Sequence, residues 1–161
     1  MVQRPVLANR HAVVFTGRRT ADIALPDVFH HPRRIPRLGR AKSAAAANIN
    51  AWSREMDGAG LDAIIINTSG CGTNVKDYGF MFRNDAALAT KAATISARTM
   101  DICEIVQKLG FAPQGAPVRR RVAYHAACSL QHGQKVTRQP PELLTRAGFD
   151  VVAVPEGHIC C

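Results

Sequence analysis

Short apolar runs alternate with longer helical patterns along most of the chain. Three runs rich in β-branched residues are typical of buried strands: Leu61–Asn67, Val122–Tyr124 and Val151–Val154. A helical pattern precedes each of them. The order helix, strand, helix, strand, helix, strand predicts right-handed crossovers and an α/β fold, in which helices cover both faces of a small parallel sheet.

The helical patterns have recognisable ends. The first starts at Ala41 and stops at Gly58, and the second runs from a cap at Asp85 to Gly110. The apolar stripe of the second pattern repeats at three and four residues, which predicts one long helix. The third helix is short and spans Pro141–Ala147. Between the first strand and the long helix, we expect a glycine-bearing turn at Thr68–Thr73 and then one or two helical turns at Val75–Arg83.

Residues 1–40 differ from the remainder. They hold eight arginines against two acidic residues, +6 of the net charge of +9, and four prolines interrupt every candidate helix. The arginines lie among prolines and do not alternate with aromatics on one element, so a nucleic-acid partner is not predicted. We expect a basic Pro/Arg-rich head at 1–40 that is disordered or not native to the domain, and a cysteine-rich α/β domain at 41–161.

The cysteines suggest the chemistry. Five is an odd number, and their spacing is not that of a disulfide framework, so a reducing, cytoplasmic compartment is favoured. Cys71, Cys128 and the pair Cys160-Cys161 each follow a predicted strand, and the carboxyl ends of parallel strands share one edge of a sheet. Thiolates gathered there could hold an iron–sulfur cluster. Cys103 lies in the middle of the predicted long helix and is interpreted as a core residue.

Neighbouring features refine this hypothesis. A tetrahedral zinc site more often uses a Cys-x-x-Cys turn, which the chain lacks, whereas a cluster of several irons accepts ligands from scattered directions. The backbone must bend near Gly157 for both Cys160 and Cys161 to bind. His125 and His158 precede cysteines by three and two residues, and we interpret them as possible hydrogen-bond donors behind the ligands.

Three segments resemble a known family. Asn67–Gly79, Ala123–Gln134 and Pro155–Cys161 are similar, in order and cysteine spacing, to the iron–sulfur subunit of glycolate oxidase, also called glycolate dehydrogenase. Leu38–Arg40 and Asn48–Trp52 resemble the helix that precedes them. The family carries the cysteine-rich CCG-type repeat also found in heterodisulfide reductase B subunits.

The resemblance implies how the cysteines are divided between repeats. Cys71 would be the last cysteine of a first repeat, with Thr68 where another cysteine would stand, and Cys128, Cys160 and Cys161 would begin a second. The resemblance also implies a 4Fe-4S cluster held by these four cysteines. Because the ferredoxin-type cysteine runs and the end of the second repeat are not found, we expect an internal fragment.

The resemblance further implies a non-catalytic electron-transfer subunit, with no catalytic residue of its own. Its partners would be the flavin-containing subunits that oxidise glycolate to glyoxylate, and its electrons would pass to quinone. No apolar run could span a membrane, so any membrane contact would be peripheral. We expect a cytoplasmic location, with contact at the inner face of the cell membrane through the complex. Two alternatives remain: a thiol/disulfide redox module at Cys160-Cys161 near His158, and an inert truncated fragment.

Overall fold

The computed structural model describes residues 12–16, 19–22, 38–58, 60–110, 119–157 and 159, with side chains from residue 41 onward. Six strands are present in this part: β1 Ala12–Thr16, β2 Arg19–Asp22, β3 Ala63–Ile66, β4 Thr99–Asp101, β5 Arg121–Tyr124 and β6 Asp150–Ala153. The α-helices are α1 Leu38–Asp57, α2 Ser69–Lys76, α3 Tyr78–Met81, α4 Ala89–Arg98, α5 Ile102–Lys108 and α6 Gln139–Arg146, and one π-helix spans Ser129–Gly133.

The described strands form two small sheets. The first has the order β2-β1-β3-β4, with β3 and β4 parallel and β1 antiparallel to both β2 and β3. The second consists of β5 and β6, which are parallel, with Arg121 opposite Asp150 and Tyr124 opposite Ala153. The predicted α/β class with small parallel sheets is confirmed. The difference is that the three predicted strands are divided between two sheets.

Strand β3 lies at the centre of the hydrophobic core. Successive strand residues point to opposite faces, and all four residues of β3 are buried. Ile64 and Ile66 pack in a cluster with Trp52 of α1 and Ile95 of α4, among others. Ala63 and Ile65 pack on the other face with Ile105 of α5. Helices therefore cover both faces of this strand, as the sequence predicts for a strand of a helix-covered parallel sheet.

The single long helix predicted between Asp85 and Gly110 is wrong. Helix α4 ends at Arg98, and strand β4 follows because Thr99–Asp101 pairs with β3. A capping box then starts α5: the Asp101 carboxylate accepts the Cys103 N–H at 2.9 Å, and the Glu104 carboxylate accepts the Asp101 N–H at 2.7 Å. Gly110 ends the helical region with a φ of +71°, as predicted.

The predicted turn at Thr68–Thr73 is also wrong. Helix α2 begins at Ser69, so both Gly70 and Gly72 lie inside a helix. A turn would use glycine for its backbone freedom, but neither glycine has a positive φ. Gly72 instead allows another segment to pack closely on the helix.

Two segments of the basic head are strands. β1 contains four consecutive apolar residues, Ala12–Phe15. It pairs with β3 on the side away from β4, with Ala12 in register with Ile66. Its sequence, AVVFT, is rich in β-branched and aromatic residue types, which favour strands. This strand was not predicted from the sequence. The boundary at residue 40 stays a prediction. None of the helices in the described part of the chain is long and apolar enough to span a membrane.

Candidate metal centre

Cys71 is the third residue of α2, the helix that follows β3. Its half-buried side chain packs against the core cluster that contains Trp52 and Tyr78. Burial raises the pKa of the Cys71 thiol, because a thiolate loses hydration there. The thiol of the metal-free protein is therefore less ionised than a solvated one, and a positive metal ion would have to favour the thiolate.

Cys128 is the residue that precedes the π-helix, four positions after the last residue of β5. Its backbone is already helical, with φ −53° and ψ −42°, and its side chain is half-buried. π-Helices are rare and occur frequently at functional sites. The structure thus places Cys128 at the end of a parallel strand and at the start of an unusual helical turn.

The two cysteine-bearing segments contact each other directly. The Ser129 hydroxyl donates to the Ser69 hydroxyl at 2.8 Å, and the Gln134 side-chain amide donates to the Ser69 carbonyl at 2.8 Å. The Thr73 hydroxyl shares its proton between the carbonyl oxygens of Ser69, at 2.9 Å, and Ser129, at 3.0 Å. We call these four residues the serine joint. Chain connectivity places Cys128 one residue and Cys71 two residues from the hydroxyl pair.

Two glycines make this close approach possible. A Cβ atom on Gly133 of the π-helix would lie 2.8 Å from Cγ2 of Thr73. A Cβ atom on Gly72 of α2 would lie 2.6 Å from Nε2 of Gln134. Real Cβ atoms essentially never come this close, so a side chain at either position would displace the side chain of Thr73 or of Gln134 from the joint. Glycine at these two positions therefore leaves room for the contacts of the joint.

The second sheet directs two loops to one edge. Because β5 and β6 are parallel and in register, the segments after Tyr124 and Ala153 leave the sheet at the same edge. The first segment leads to Cys128. In the second, the backbone turns at Pro155–Gly157, where the Gly157 N–H bonds the Val154 carbonyl at 3.1 Å. The bend expected near Gly157 is therefore present.

Cys160, Cys161 and His158 lie outside the described residues, so their places in the site stay predictions. His125 lies in the loop after β5 with an exposed side chain. Its role behind the ligands also stays a prediction.

Cys103 lies on neither segment of the serine joint. It lies in the first turn of α5, so the predicted mid-helix position is wrong, and its side chain is half-buried. Burial raises the pKa of its thiol to about 12, with further contributions from the carboxylates of Asp101 and Glu104. A thiol held so strongly in its protonated form is a poor candidate ligand.

The donors fit a soft metal centre in part. Within the described ranges, no group of three or more His, Cys, Asp or Glu side chains is arranged to hold a metal ion. Two of the four predicted cysteine ligands, Cys71 and Cys128, lie there on segments that pack together. Thiolates are the usual ligands of iron–sulfur clusters. The arrangement thus fits part of a ligand set for such a cluster.

Comparison with known proteins bears on the identity. The chain is 37% identical over 124 residues to the glycolate oxidase iron–sulfur subunit of Escherichia coli K12, over 77% of this chain and 29% of that protein. The predicted resemblance to this subunit is confirmed. The chain is also 33% identical over 102 residues to the uncharacterized protein YkgE of the same strain, over 62% of this chain and 43% of that protein.

Lactate utilization protein A of Bacillus velezensis is 29% identical over 100 residues, over 60% of this chain and 42% of that protein. The chain therefore spans less than half the length of each of these relatives. No protein-family model matches the chain. No solved structure matches it either.

Sequence reasoning missed the residues that connect the two segments: Ser69, Thr73, Ser129 and Gln134. Their hydroxyl and amide groups have no spacing rule that predicts partners 56 or more residues away. One signal was present in the sequence: Cys71 and Cys128 each have a serine within two residues, and each of the two segments contains a glycine that lies at the contact.

Proposed function

We propose that the chain is part of an iron–sulfur electron-transfer subunit of a glycolate-oxidising complex. The observation that carries this proposal is the serine joint, which holds the segment of Cys71 against the segment of Cys128. The similarity to the glycolate oxidase iron–sulfur subunit supports it independently. Soft thiolate donors on neighbouring segments suit an iron–sulfur cluster better than a hard cation such as Mg²⁺.

Each predicted site residue has a defined role in this proposal. Cys71, Cys128, Cys160 and Cys161 supply thiolates to a 4Fe-4S cluster. His125 and His158 donate hydrogen bonds behind the ligands, where such donors tune the centre. A bound cluster supplies reversible one-electron transfer. The half-buried positions of Cys71 and Cys128 limit contact with water, which is one of the factors that set a reduction potential.

The proposed partners follow from the same relationship. Flavin-containing subunits would oxidise glycolate to glyoxylate and release two electrons and two protons. The iron–sulfur subunit would accept the electrons one at a time and pass them to quinone at the inner face of the cell membrane. The chain itself would perform no bond-breaking step.

The substrate of the complex is the second question. Relatives of the chain include proteins named for glycolate and proteins named for lactate utilization. Both substrates are 2-hydroxy acids, so either could supply electrons to the same kind of relay. We favour glycolate because its subunit has 37% identity, compared with 29% for the lactate utilization protein of B. velezensis.

Anaerobic reconstitution of the full chain with iron and sulfide tests the metal centre. We expect bound iron and a low-temperature EPR signal after reduction. Cys71→Ser and Cys128→Ser should each lower the bound iron, whereas Cys103→Ser should leave it unchanged. A chain that binds no iron, or one that loses iron equally in all three variants, would overturn the proposal.

Two further measurements separate the alternatives. Glycolate-dependent dye reduction, restored by this chain in cells lacking the full subunit, would exclude an inert fragment. The thiol/disulfide alternative assigns exchange to Cys160 and Cys161, and exchange requires a thiolate as the nucleophile. Alkylation rates of Cys160 and Cys161 against pH, measured without metal, would show whether that pair has the lowered pKa that exchange requires.

A further inference from the structure

We propose that Gln134 is a positioning residue for the proposed metal centre, through which the π-helix after Cys128 is fixed on the helix that carries Cys71. This inference rests on the proposed function and assigns a role to a residue that is neither a ligand nor a neighbour of one in sequence. The argument begins with the place of the side chain. Gln134 is 9% exposed, and its Nε2 donates to the Ser69 carbonyl at 2.8 Å.

Gln134 connects to both segments at once. Its backbone N–H donates to the Ser129 carbonyl at 2.9 Å and ends the π-helix. Its side-chain amide lies over Gly72, the residue directly after Cys71, with Nε2 2.6 Å and Oε1 3.2 Å from where a Cβ atom would be. The neighbouring Val136 is buried and bonds back to the Leu130 carbonyl, so the backbone that carries Gln134 is itself anchored.

The oxygen of the side-chain amide indicates that stability alone does not explain this residue. Oε1 of Gln134 is buried and has no hydrogen-bond partner in the described part of the chain. A buried unpaired acceptor costs free energy, and an apolar side chain of similar size would avoid that cost. The Ser69 carbonyl would remain satisfied without Gln134, because it also accepts the Thr73 hydroxyl. The hydrogen bond from the Gln134 side chain therefore fixes the relative position of the two segments more than it stabilises the fold.

The variant Gln134→Leu separates the effect on the relative position of the two segments from the effect on the stability of the fold. Leucine keeps an unbranched Cβ and a comparable volume, removes the unpaired acceptor and deletes the bond to Ser69. We expect the urea midpoint of the metal-free variant to equal or exceed that of the natural chain. The matched control is Gln131→Leu, because Gln131 lies in the same π-helix but its side-chain amide pairs with the adjacent His132 at 2.9 Å.

Cobalt(II) is the probe for the thiol site. Co²⁺ is added anaerobically to the metal-free full chain, and the thiolate-to-metal absorption is followed. The titration is done without urea, at a temperature where every variant is folded. Loss of a residue that orients ligands typically weakens metal binding by about 10- to 100-fold. We expect Gln134→Leu to weaken Co²⁺ binding by about tenfold and Gln131→Leu to leave it unchanged. Equal affinity in the natural chain and Gln134→Leu would overturn the inference.

Hydrogen exchange of the same metal-free proteins provides a readout that does not depend on metal. In Gln134→Leu, the amides of residues 69–73 and 129–136 should exchange faster together, with other helices unchanged. Unchanged exchange in these two segments would also overturn the inference. If the natural chain binds no Co²⁺ while both segments loosen in Gln134→Leu, the contact is made as inferred and the proposed function is what fails.

Discussion

The hydroxyl of Ser129 donates to the hydroxyl of Ser69 at 2.8 Å, across a separation of 60 residues in sequence. Ser129 directly follows Cys128, and Ser69 precedes Cys71 by two residues. The strands that lead to these cysteines belong to different sheets, β3 to the first and β5 to the second. The contacts of the serine joint, rather than a shared sheet, therefore connect the two cysteine segments.

Ser69→Ala and Ser129→Ala should each destabilise the fold through loss of one hydrogen bond. We expect each variant to lower the free energy of unfolding by about 0.5–1.5 kcal/mol, measured by urea denaturation. In the double variant the two losses should not add, because both remove the same bond. As a control, Ser129→Ala combined with Thr145→Ala of α6 should be additive, since the Thr145 hydroxyl bonds the Pro141 carbonyl of its own helix.

The two glycines of α2 should respond oppositely to alanine. A Cβ on Gly72 would meet Gln134 at 2.6 Å, whereas a Cβ on Gly70 would have no atom within 4 Å. Gly70→Ala should therefore stabilise the protein by about 0.5–1 kcal/mol through helix propensity. Gly72→Ala should destabilise it by about 1 kcal/mol, because the new Cβ atom would force the Gln134 amide away from α2 and from the Ser69 carbonyl.

Thermal unfolding of both variants checks this pair. Equal melting temperatures for Gly70→Ala and Gly72→Ala would mean that the π-helix does not pack on α2 as the structure shows.

Local patterns predicted β3, β5 and β6 but not β1, β2 or β4. β5 and β6 follow from β-branched runs separated by a short helix, and their parallel pairing follows from the crossover rule. β4 was missed because Thr99 continues the helical stripe of α4, so the sequence alone favours one long helix. Pairing of β4 with the buried β3 overrides that local preference. The Asp101-x-x-Glu104 capping box was the available signal for a new helix start.

The candidate site was predictable to a similar degree. Placing Cys71 and Cys128 after strands needs only the strand assignments, and the structure agrees with both positions. The serine joint could not be predicted, because it depends on how two separate sheets are arranged. The position of Cys103 in the first turn of α5 could not be predicted either, because α5 starts directly after β4.

Cys103 should make stability depend on pH in the alkaline range. Its thiol pKa is raised from 9.0 to about 12 in the folded protein, first by burial and then by the charges of Asp101 and Glu104. Above pH 9 the unfolded chain loses this proton while the folded chain keeps it, so the contribution to stability falls as pH rises from 9 to about 12. Below pH 9 the contribution is fully present.

Urea midpoints, measured at neutral pH and at a pH between 9 and about 12, test this dependence of stability on pH. Cys103→Ala should show a smaller alkaline loss of stability than the natural chain. Cys128→Ala serves as the comparison, because it removes a cysteine but leaves Cys103 and the carboxylates of Asp101 and Glu104 in place, so the Cys103-dependent loss should persist. An alkaline loss that is identical in the natural chain and Cys103→Ala would contradict the prediction.

The ion pair between Lys76 and Glu104 should contribute more than a surface pair. It joins α2 to α5 at 2.5 Å, and the two side chains are 22% and 24% exposed. The pair between Arg121 and Asp150 joins β5 to β6 at 3.0 Å, but its side chains are 75% and 61% exposed. Water and salt screen the second pair far more than the first.

Two double-mutant cycles compare these pairs in the same protein. Lys76→Met with Glu104→Gln should give a coupling energy of about 1.5 kcal/mol, a magnitude found for hydrogen bonds to charged groups. Glutamine keeps an acceptor for the Asp101 N–H, so the cycle isolates the charge on Glu104 from its role in the capping box. Arg121→Met with Asp150→Asn should give about 0.5 kcal/mol or less. If the two coupling energies were equal, partial burial would not be what strengthens the link between α2 and α5.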